Sequence, residues 1–196
     1  MSSKKIRLAV FASGSGTNAE EIFKHFEDHP AVEVVLLLSN NPNAFALQRA
    51  KNHHIKSGVF NRKEFREGDV ILKFLRDAGA THIVLAGFLW LIPTYLLRAF
   101  PDRIINIHPA LLPKYGGKGM YGAKVHEAVK AAAEPETGIT IHLVNDQYDE
   151  GRILFQQKCS IPADLTPEEI AACVHKLEHA HYPKVIENWV LESVGT

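Results

Sequence analysis

Short apolar, largely β-branched runs recur along this chain, each followed by a stretch whose apolar positions have helical spacing. This alternation narrows the fold more than any other feature. The strand-like runs are residues 6–11, 32–38, 83–86, 104–107, 139–144 and 153–157, with a shorter one at 58–60. Helical patterns lie at 17–29, 44–53, 63–78, 93–100 and 124–133. The first strands are nearly all apolar, as expected where helices cover both faces of a sheet. Strand–helix alternation from residue 6 to about 107 implies an α/β fold with a doubly wound, mostly parallel, Rossmann-like sheet. Residues 139–144 and 153–157 have only a loop between them, so they are expected to form an antiparallel pair near the C-terminus. Thr166-Pro-Glu-Glu169 announces a final helix with an N-cap, a proline at the first helical position and a capping-box glutamate. Ile170, Val174, Leu177 and Val185 then form a stripe at helical spacing. No repeat, linker or low-complexity segment breaks the pattern, so the 196 residues are read as one domain.

Composition excludes several classes of partner. The 22 Lys and Arg balance the 22 Asp and Glu, which leaves no general attraction to nucleic acid or to an anionic membrane. No stretch approaches the ~20 apolar residues of a membrane span. The two cysteines, Cys159 and Cys173, lack C-x-x-C spacing, which points to a reducing compartment and away from a cysteine-based zinc site. Lys4 and Lys5 raise a signal-peptide reading, but Arg7 interrupts the apolar run and the polar GSGTN follows at once. The expectation is a cytoplasmic enzyme or binding protein.

The first candidate site is the loop ASGSGTNA at residues 12–19, between a strand and a helix. Gly14-x-Gly16-x-x-Ala19 fits the dinucleotide fingerprint, but that reading needs an acidic residue at the end of the second strand to hold the ribose hydroxyls. The second strand instead ends in Ser39-Asn40-Asn41-Pro42. Thr17 and Asn18 stand where the helix begins and add side-chain donors to the backbone N–H groups. The loop is therefore read as a monophosphate cradle of Ser15, Gly16, Thr17 and Asn18, against a plain capped glycine turn.

The second constellation is Asn106-x-His108-Pro109. Side chains two apart on a strand share a face, so Asn106 and His108 project together at a strand's carboxyl end, where open α/β sheets bind ligands. An amide and an imidazole side by side can donate to one developing oxyanion. The alternative is that Asn106 bonds the loop backbone and His108 is a satisfied core histidine. A third segment, Asn145-Asp-Gln-Tyr-Asp149-Glu-Gly151, is a polar turn or else the source of a carboxylate, Asp149, facing His108. Such a carboxylate would raise the imidazole pKa and orient the ring. His175-Lys-Leu-Glu178-His179 also matches the inverted zinc-peptidase pattern H-x-x-E-H, but no third ligand is evident and no metal is expected.

GSGTN after the first strand, NIHPALLP after the fifth, the GIT-IH strand and the D-x-G beyond it occur together, in one order and spacing. In these motifs the chain, from residue 6 to about 189, resembles the phosphoribosylglycinamide formyltransferases, within the wider formyl-folate hydrolase and transferase superfamily. The resemblance implies transfer of the formyl group of 10-formyltetrahydrofolate to the amine of glycinamide ribonucleotide in purine synthesis. It implies the folate as a cosubstrate, with no tightly bound cofactor. It puts catalysis on Asn106, His108 and Asp149, the substrate phosphate on Ser15–Asn18 and the substrate amine on Glu178. It puts the pterin against Phe88, Leu89, Leu91 and Ile92 and the backbone at 145–149, starting at Asn145, with Thr140 near the site. The phosphate half would be about 1–100, and the folate and catalytic half about 101–196. The partners would be small molecules, without nucleic acid or membrane, and the chain a monomer or weak homodimer. Relatives acting on tRNA normally add a C-terminal domain, and deformylases an N-terminal one, so neither is expected. The alternatives retained are a formyltetrahydrofolate hydrolase and a non-catalytic nucleotide-binding protein of the same fold. Two departures stand out: Trp90 occupies a position where many relatives carry Arg. The loop after NIHPALLP carries Gly116, Gly117, Gly119 and Gly122, and is expected to be mobile.

Overall fold

The computed structural model describes residues 5–192; Lys4, one of the residues behind the signal-peptide reading, lies outside the described residues. The order of elements is β1 (Ile6–Phe11), α1 (Thr17–Phe26), β2 (Val32–Ser39), α2 (Phe45–Asn52), β3 (Ser57–Val59), α3 (Arg62–Glu67), α4 (Asp69–Asp77), β4 (His82–Leu85), α5 (Thr94–Ala99), β5 (Ile104–His108), α6 (Ala123–Ala131), β6 (Glu136–Leu143), β7 (Ile153–Ser160) and α7 (Pro167–Glu192). The strands form one seven-stranded sheet in the order β3-β2-β1-β4-β5-β6-β7. β1 to β5 pair in parallel, while β5–β6 and β6–β7 are antiparallel.

The expected antiparallel pair is present as β6–β7, and β5 joins it, so the antiparallel part has three strands. His108 at the end of β5 faces Thr140 in the middle of β6, and the pairing is antiparallel, so β6 enters from the end at which β5 leaves. The intervening loop and α6 stay at that end instead of crossing back along the sheet. β6 and β7 are also longer than their apolar runs, because Glu136, Thr137 and Gly138 continue the ladder against Ser160, Cys159 and Lys158. The pattern expected as one helix at 63–78 is two. Gly68, at φ 90°, closes α3 and opens α4, a left-handed conformation that glycine adopts without strain.

Alternation within the buried strands sorts the core onto two faces. Leu8 and Val10 pack with Ile22, Phe23, Val174 and Tyr182 from α1 and α7. Ala9 and Phe11 pack with Phe65, Ile71, Leu75 and Leu96 from α3, α4 and α5. The capping box of α7 is present: Thr166 Oγ1 accepts from Glu169 N at 3.3 Å, and Glu169 Oε2 accepts from Thr166 N at 2.8 Å. Its buried line runs through Ile170, Val174, Glu178, Tyr182 and Ile186, with Leu177 and Val185 only partly buried beside it. Tyr182 Oη donates to Leu85 O at 2.8 Å and so joins α7 to the carboxyl end of β4. Among the described residues no helix is long and apolar enough to cross a membrane.

Candidate active site

The sheet order reverses between β1 and β4, and the loops leaving β1, β4 and β5 all open onto one cavity of about 780 Å³. Ser15, Gly16, Thr17 and Asn18 form its rim on one side. Gly16, at φ 72°, caps α1, and a Cβ there would lie 2.5 Å from Ala46 Cβ on α2. The glycine is therefore required for α1 and α2 to approach, and a valine at this position would disturb that packing as well as any anion. Two supports of the loop were not read from the sequence. Arg49 Nε donates to Ser15 O at 2.9 Å while its guanidinium pairs with Glu20. Ser13 Oγ accepts from Leu89 N at 3.1 Å, which ties the loop to the segment after β4. No sequence spacing marks either contact, since both join separate elements.

Asn18 has a second partner beside the expected cradle. Its Nδ2 donates to Glu178 Oε2 at 2.9 Å, so that amide joins the start of α1 to the middle of α7. Its second Nδ2 hydrogen, the Ser15 and Thr17 hydroxyls and the backbone N–H groups remain as donors at the cavity. Glu178 is only 5% exposed, a carboxyl on an otherwise apolar helix line, and it lines the same cavity. Burial pushes its pKa up, against the pull of the Asn18 amide and of His175 at 4.0 Å. Of the H-x-x-E-H motif, His175 and Glu178 line the cavity, while His179 lines a separate cleft beside Glu21. Among the described residues no group of three His, Cys, Asp or Glu side chains is placed to hold a metal ion.

β5 presents Asn106 and His108 to the same cavity, as the two-residue spacing requires. The 144–152 loop folds back over the sheet and brings Asp149 between two imidazoles. Asp149 Oδ2 lies 3.5 Å from His108 Nδ1, and Oδ1 lies 3.6 Å from His142 Nε2. Asp149 also accepts from Gly117 N at 2.9 Å, which anchors the glycine loop. Gly117, Gly119 and Gly122 all have positive φ.

His142 was missed by the sequence reading. It sits opposite Asn106 in the β5–β6 register, and its Nε2 lies 3.1 Å from Asn106 Nδ2. With its Nδ1 donating to Leu143 O at 2.8 Å, Nε2 is the acceptor for that amide. The alternation that paired Asn106 with His108 would have found it if applied to Thr140-Ile-His142. The donor geometry is also more constrained than two free groups aimed at one oxygen. Asn106 keeps one amide hydrogen beyond the one given to His142, whereas His108 Nε2 donates to Tyr115 O at 2.8 Å.

The expected rise in the His108 pKa is reversed. Burial lowers it below the ordinary 6.5, and the Asp149 charge and the Tyr115 carbonyl, which both favour the cation, do not offset burial. For Asp149, burial favours the neutral acid, but the His142 contact, the His108 charge and the Gly117 N–H together hold its pKa below the ordinary value. The resting pair at neutral pH is therefore a carboxylate and a neutral imidazole. Titration of the His108 ring by proton NMR should give a midpoint under 6.5, and Asp149→Asn should move it lower still by removing a group that favours the cation. A midpoint above 6.5, or an upward move in the variant, would contradict this assignment.

The apolar wall is formed by Phe88, Leu89, Leu91 and Ile92. Phe88 and Ile92 are buried, whereas Leu89 and Leu91 remain 44% and 39% exposed. Trp90 is anchored against Phe65 at 5.4 Å between ring centroids, and the Arg62 guanidinium lies 4.7 Å over it. Two expected folate-side residues do not line the cavity. Thr140 is fully buried; its hydroxyl donates to Ala110 O and accepts from Leu112 N and Gln156 Nε2, so it braces the turn after β5. Asn145 Oδ1 accepts from Gln147 N at 3.0 Å and closes the local turn, leaving Gln147 and Tyr148 to face the cavity.

The formyl transferase family model matches residues 6–186, which includes every element that borders the cavity. The phosphoribosylglycinamide formyltransferase, chloroplastic, of Arabidopsis thaliana is 42% identical over 189 residues, spanning 93% of this chain and 65% of its own. The phosphoribosylglycinamide formyltransferase of Bacillus subtilis (strain 168) is 38% identical over 186 residues, spanning 92% of this chain and 93% of its own. The chain thus spans just under two thirds of the plant relative's length and nearly all of the bacterial one's. The crystal structure of phosphoribosylglycinamide formyltransferase from Brucella melitensis shares the fold with a TM-score of 0.85 at 33% identity, over 95% of this chain and 96% of that one. With the motifs, the sheet order and these matches all in agreement over nearly its full length, the chain belongs to the formyl transferase family.

Proposed function

We infer that this protein transfers the formyl group of 10-formyltetrahydrofolate to the amine of glycinamide ribonucleotide, giving formylglycinamide ribonucleotide and tetrahydrofolate in purine synthesis. The observation that carries the reading is one cavity lined by a phosphate-type loop, a buried carboxyl, an Asn–His–Asp cluster and an apolar wall. In this reading Ser15, Gly16 and Thr17 hold the ribonucleotide phosphate at the start of α1, with Asn18 fixing Glu178 beside the amine. Phe88, Leu89, Leu91 and Ile92 receive the pterin of the cosubstrate. The chain acts as one formyltransferase domain, with its folate wall at the boundary between the two halves. No tightly bound cofactor and no nucleic acid enter the reading, which places a monomer or weak homodimer in the cytoplasm.

The amine nitrogen forms a bond to the formyl carbon and the carbonyl electron pair moves onto the formyl oxygen. Asn106 donates its remaining amide hydrogen to that oxygen, and His108 joins once Nε2–H exchanges the Tyr115 carbonyl for it. Asp149, ionised beside both imidazoles, relays a proton from the attacking nitrogen toward the leaving folate nitrogen, directly or through water. Collapse breaks the old carbon–nitrogen bond.

The test is tetrahydrofolate release from the formyl donor, with and without glycinamide ribonucleotide. Release that depends on the ribonucleotide is expected. Equal release of tetrahydrofolate and formate without it would establish the hydrolase instead, and ligand binding without any release would establish a non-catalytic binding protein.

A further inference from the structure

α6 brings to the cavity a histidine that none of the roles above uses. His126 is 3% exposed and forms part of the cavity wall. Its Nδ1 has no hydrogen-bond partner among the described residues. A buried polar atom left unpaired is costly, so such atoms in a folded chain call for a specific reason. The residue belongs to a wall that a ligand must touch, and a ligand group that reaches Nδ1 would supply the missing partner.

The surroundings also limit what the imidazole can do. Burial lowers its pKa to about 4, and the nearby His175 on α7 and His108 on β5 add to the effect. The ring is therefore neutral at physiological pH, too weak a base to take a proton there, and acts by hydrogen bonding. Its electrostatic neighbours mark its place along the cavity. His108 belongs to the catalytic cluster, and His175 lies beside Glu178, which is joined to the phosphate loop through Asn18. Between a phosphate at that loop and an amine at the catalytic cluster, a ribonucleotide presents its ribose hydroxyls and its amide, all hydrogen-bonding groups.

Resting on the reading that glycinamide ribonucleotide occupies this cavity, we propose that His126 is a further substrate-binding residue, whose Nδ1 hydrogen-bonds the ribose–amide stretch of the ribonucleotide and aligns its amine. The helix that carries it follows directly on the glycine loop, so the loop that receives Asp149 and the helix that receives the substrate arm are one continuous segment.

The experiment is steady-state kinetics on His126→Leu, His126→Asn and His126→Gln, with both substrates varied. His126→Leu should raise the KM for the ribonucleotide about tenfold, as expected for one lost hydrogen bond to a ligand. The KM for formyl folate should stay unchanged and the melting temperature should not fall, because leucine removes a polar atom that is buried without a partner. Asparagine carries an amide near the position of Nδ1 and should restore most of the affinity; glutamine, which mimics Nε2, should not. In the wild-type protein, the nitrogen NMR signal of His126 Nδ1 should move on adding the ribonucleotide alone and stay unchanged on adding folate alone. An unmoved resonance, an unchanged ribonucleotide KM in His126→Leu, or parallel losses for both substrates would overturn the proposal. Wild-type transfer is measured first: its absence would remove the functional reading itself, whereas normal transfer with unaltered variants would remove only the role of His126.

Discussion

Asn106→Ala, His108→Ala and Asp149→Ala are each expected to lower turnover by at least ~10², within the ~10²–10³ that a single preorganised donor to a developing oxyanion contributes. In the proposed reaction negative charge builds on one oxygen as the amine attacks, and these three residues line the same cavity, with Asp149 3.5 Å from His108. Each loss has its own physical cause. Without Asn106 the remaining amide hydrogen is gone and His142 loses its 3.1 Å partner. Without His108 the site loses a buried neutral imidazole whose Nε2–H, held by the Tyr115 carbonyl at rest, is the second donor to the oxygen. Without Asp149 the two imidazoles lose the carboxylate between them, and the Gly117 N–H that holds the loop loses its acceptor. Because the three share one network, the double variant Asn106→Ala/His108→Ala should be less impaired than the product of the single losses. The contacts strengthen only in the transition state, so substrate affinities should change far less than turnover. Steady-state kinetics on the three single variants and the double checks this. Near-normal turnover in His108→Ala, or an effect confined to KM, would show that the cluster is not the reaction centre.

How far the site can be read from sequence follows from how its parts are held. The parallel core was legible because β1, β2, β4 and β5 are buried on both faces and so are apolar at nearly every position. Gly68 was read as a helix interior residue because a glycine that ends one helix and starts the next leaves the same apolar spacing on both sides. Asn106 and His108 follow from strand periodicity, which is local. The closeness of Asp149 to His108 is set by a loop that folds back over the sheet, and no local period encodes it. Burial decides the sign of the His108 shift, and burial depends on elements far along the chain. The same holds for Thr140, a hydroxyl on the right strand whose hydrogen bonds are taken by the turn after β5 and by Gln156 of β7. Glu178 was named only through the H-x-x-E-H pattern and the family likeness, because the stripe read from sequence ran through Leu177 and Val185, whereas the buried line of α7 runs through Glu178 itself.

The largest expected stability loss lies in the D-x-G motif. A Cβ placed on Gly151 would lie 1.6 Å from Leu143 O and 3.3 Å from His142 Nδ1. The first contact is with backbone, which cannot rotate away as a side chain would. Leu143 O is also the acceptor that fixes His142 through Nδ1, and Leu143 N donates to Arg152 O at 2.9 Å across the same point. Gly151→Ala must therefore push β6 and the start of β7 apart at the place where the loop carrying Asp149 turns back. Overpacking of a well-fitted site costs typically ~1–3 kcal/mol, and a backbone clash of this kind belongs at the upper end or above. For a chain of this size ~3 kcal/mol lowers the melting temperature by roughly 6–12 °C. Turnover at a temperature where the variant is still folded should fall as well, because His142 and Asp149 lose their seats together. Gly14→Ala is the matched control: a Cβ there meets nothing within 4 Å, so its melting temperature should stay close to that of the wild type. Thermal melts of the two variants decide the matter. If Gly151→Ala melts with Gly14→Ala, the loop bearing Asp149 is not held against β6 as described, and the geometry of the Asn–His–Asp cluster has to be redrawn.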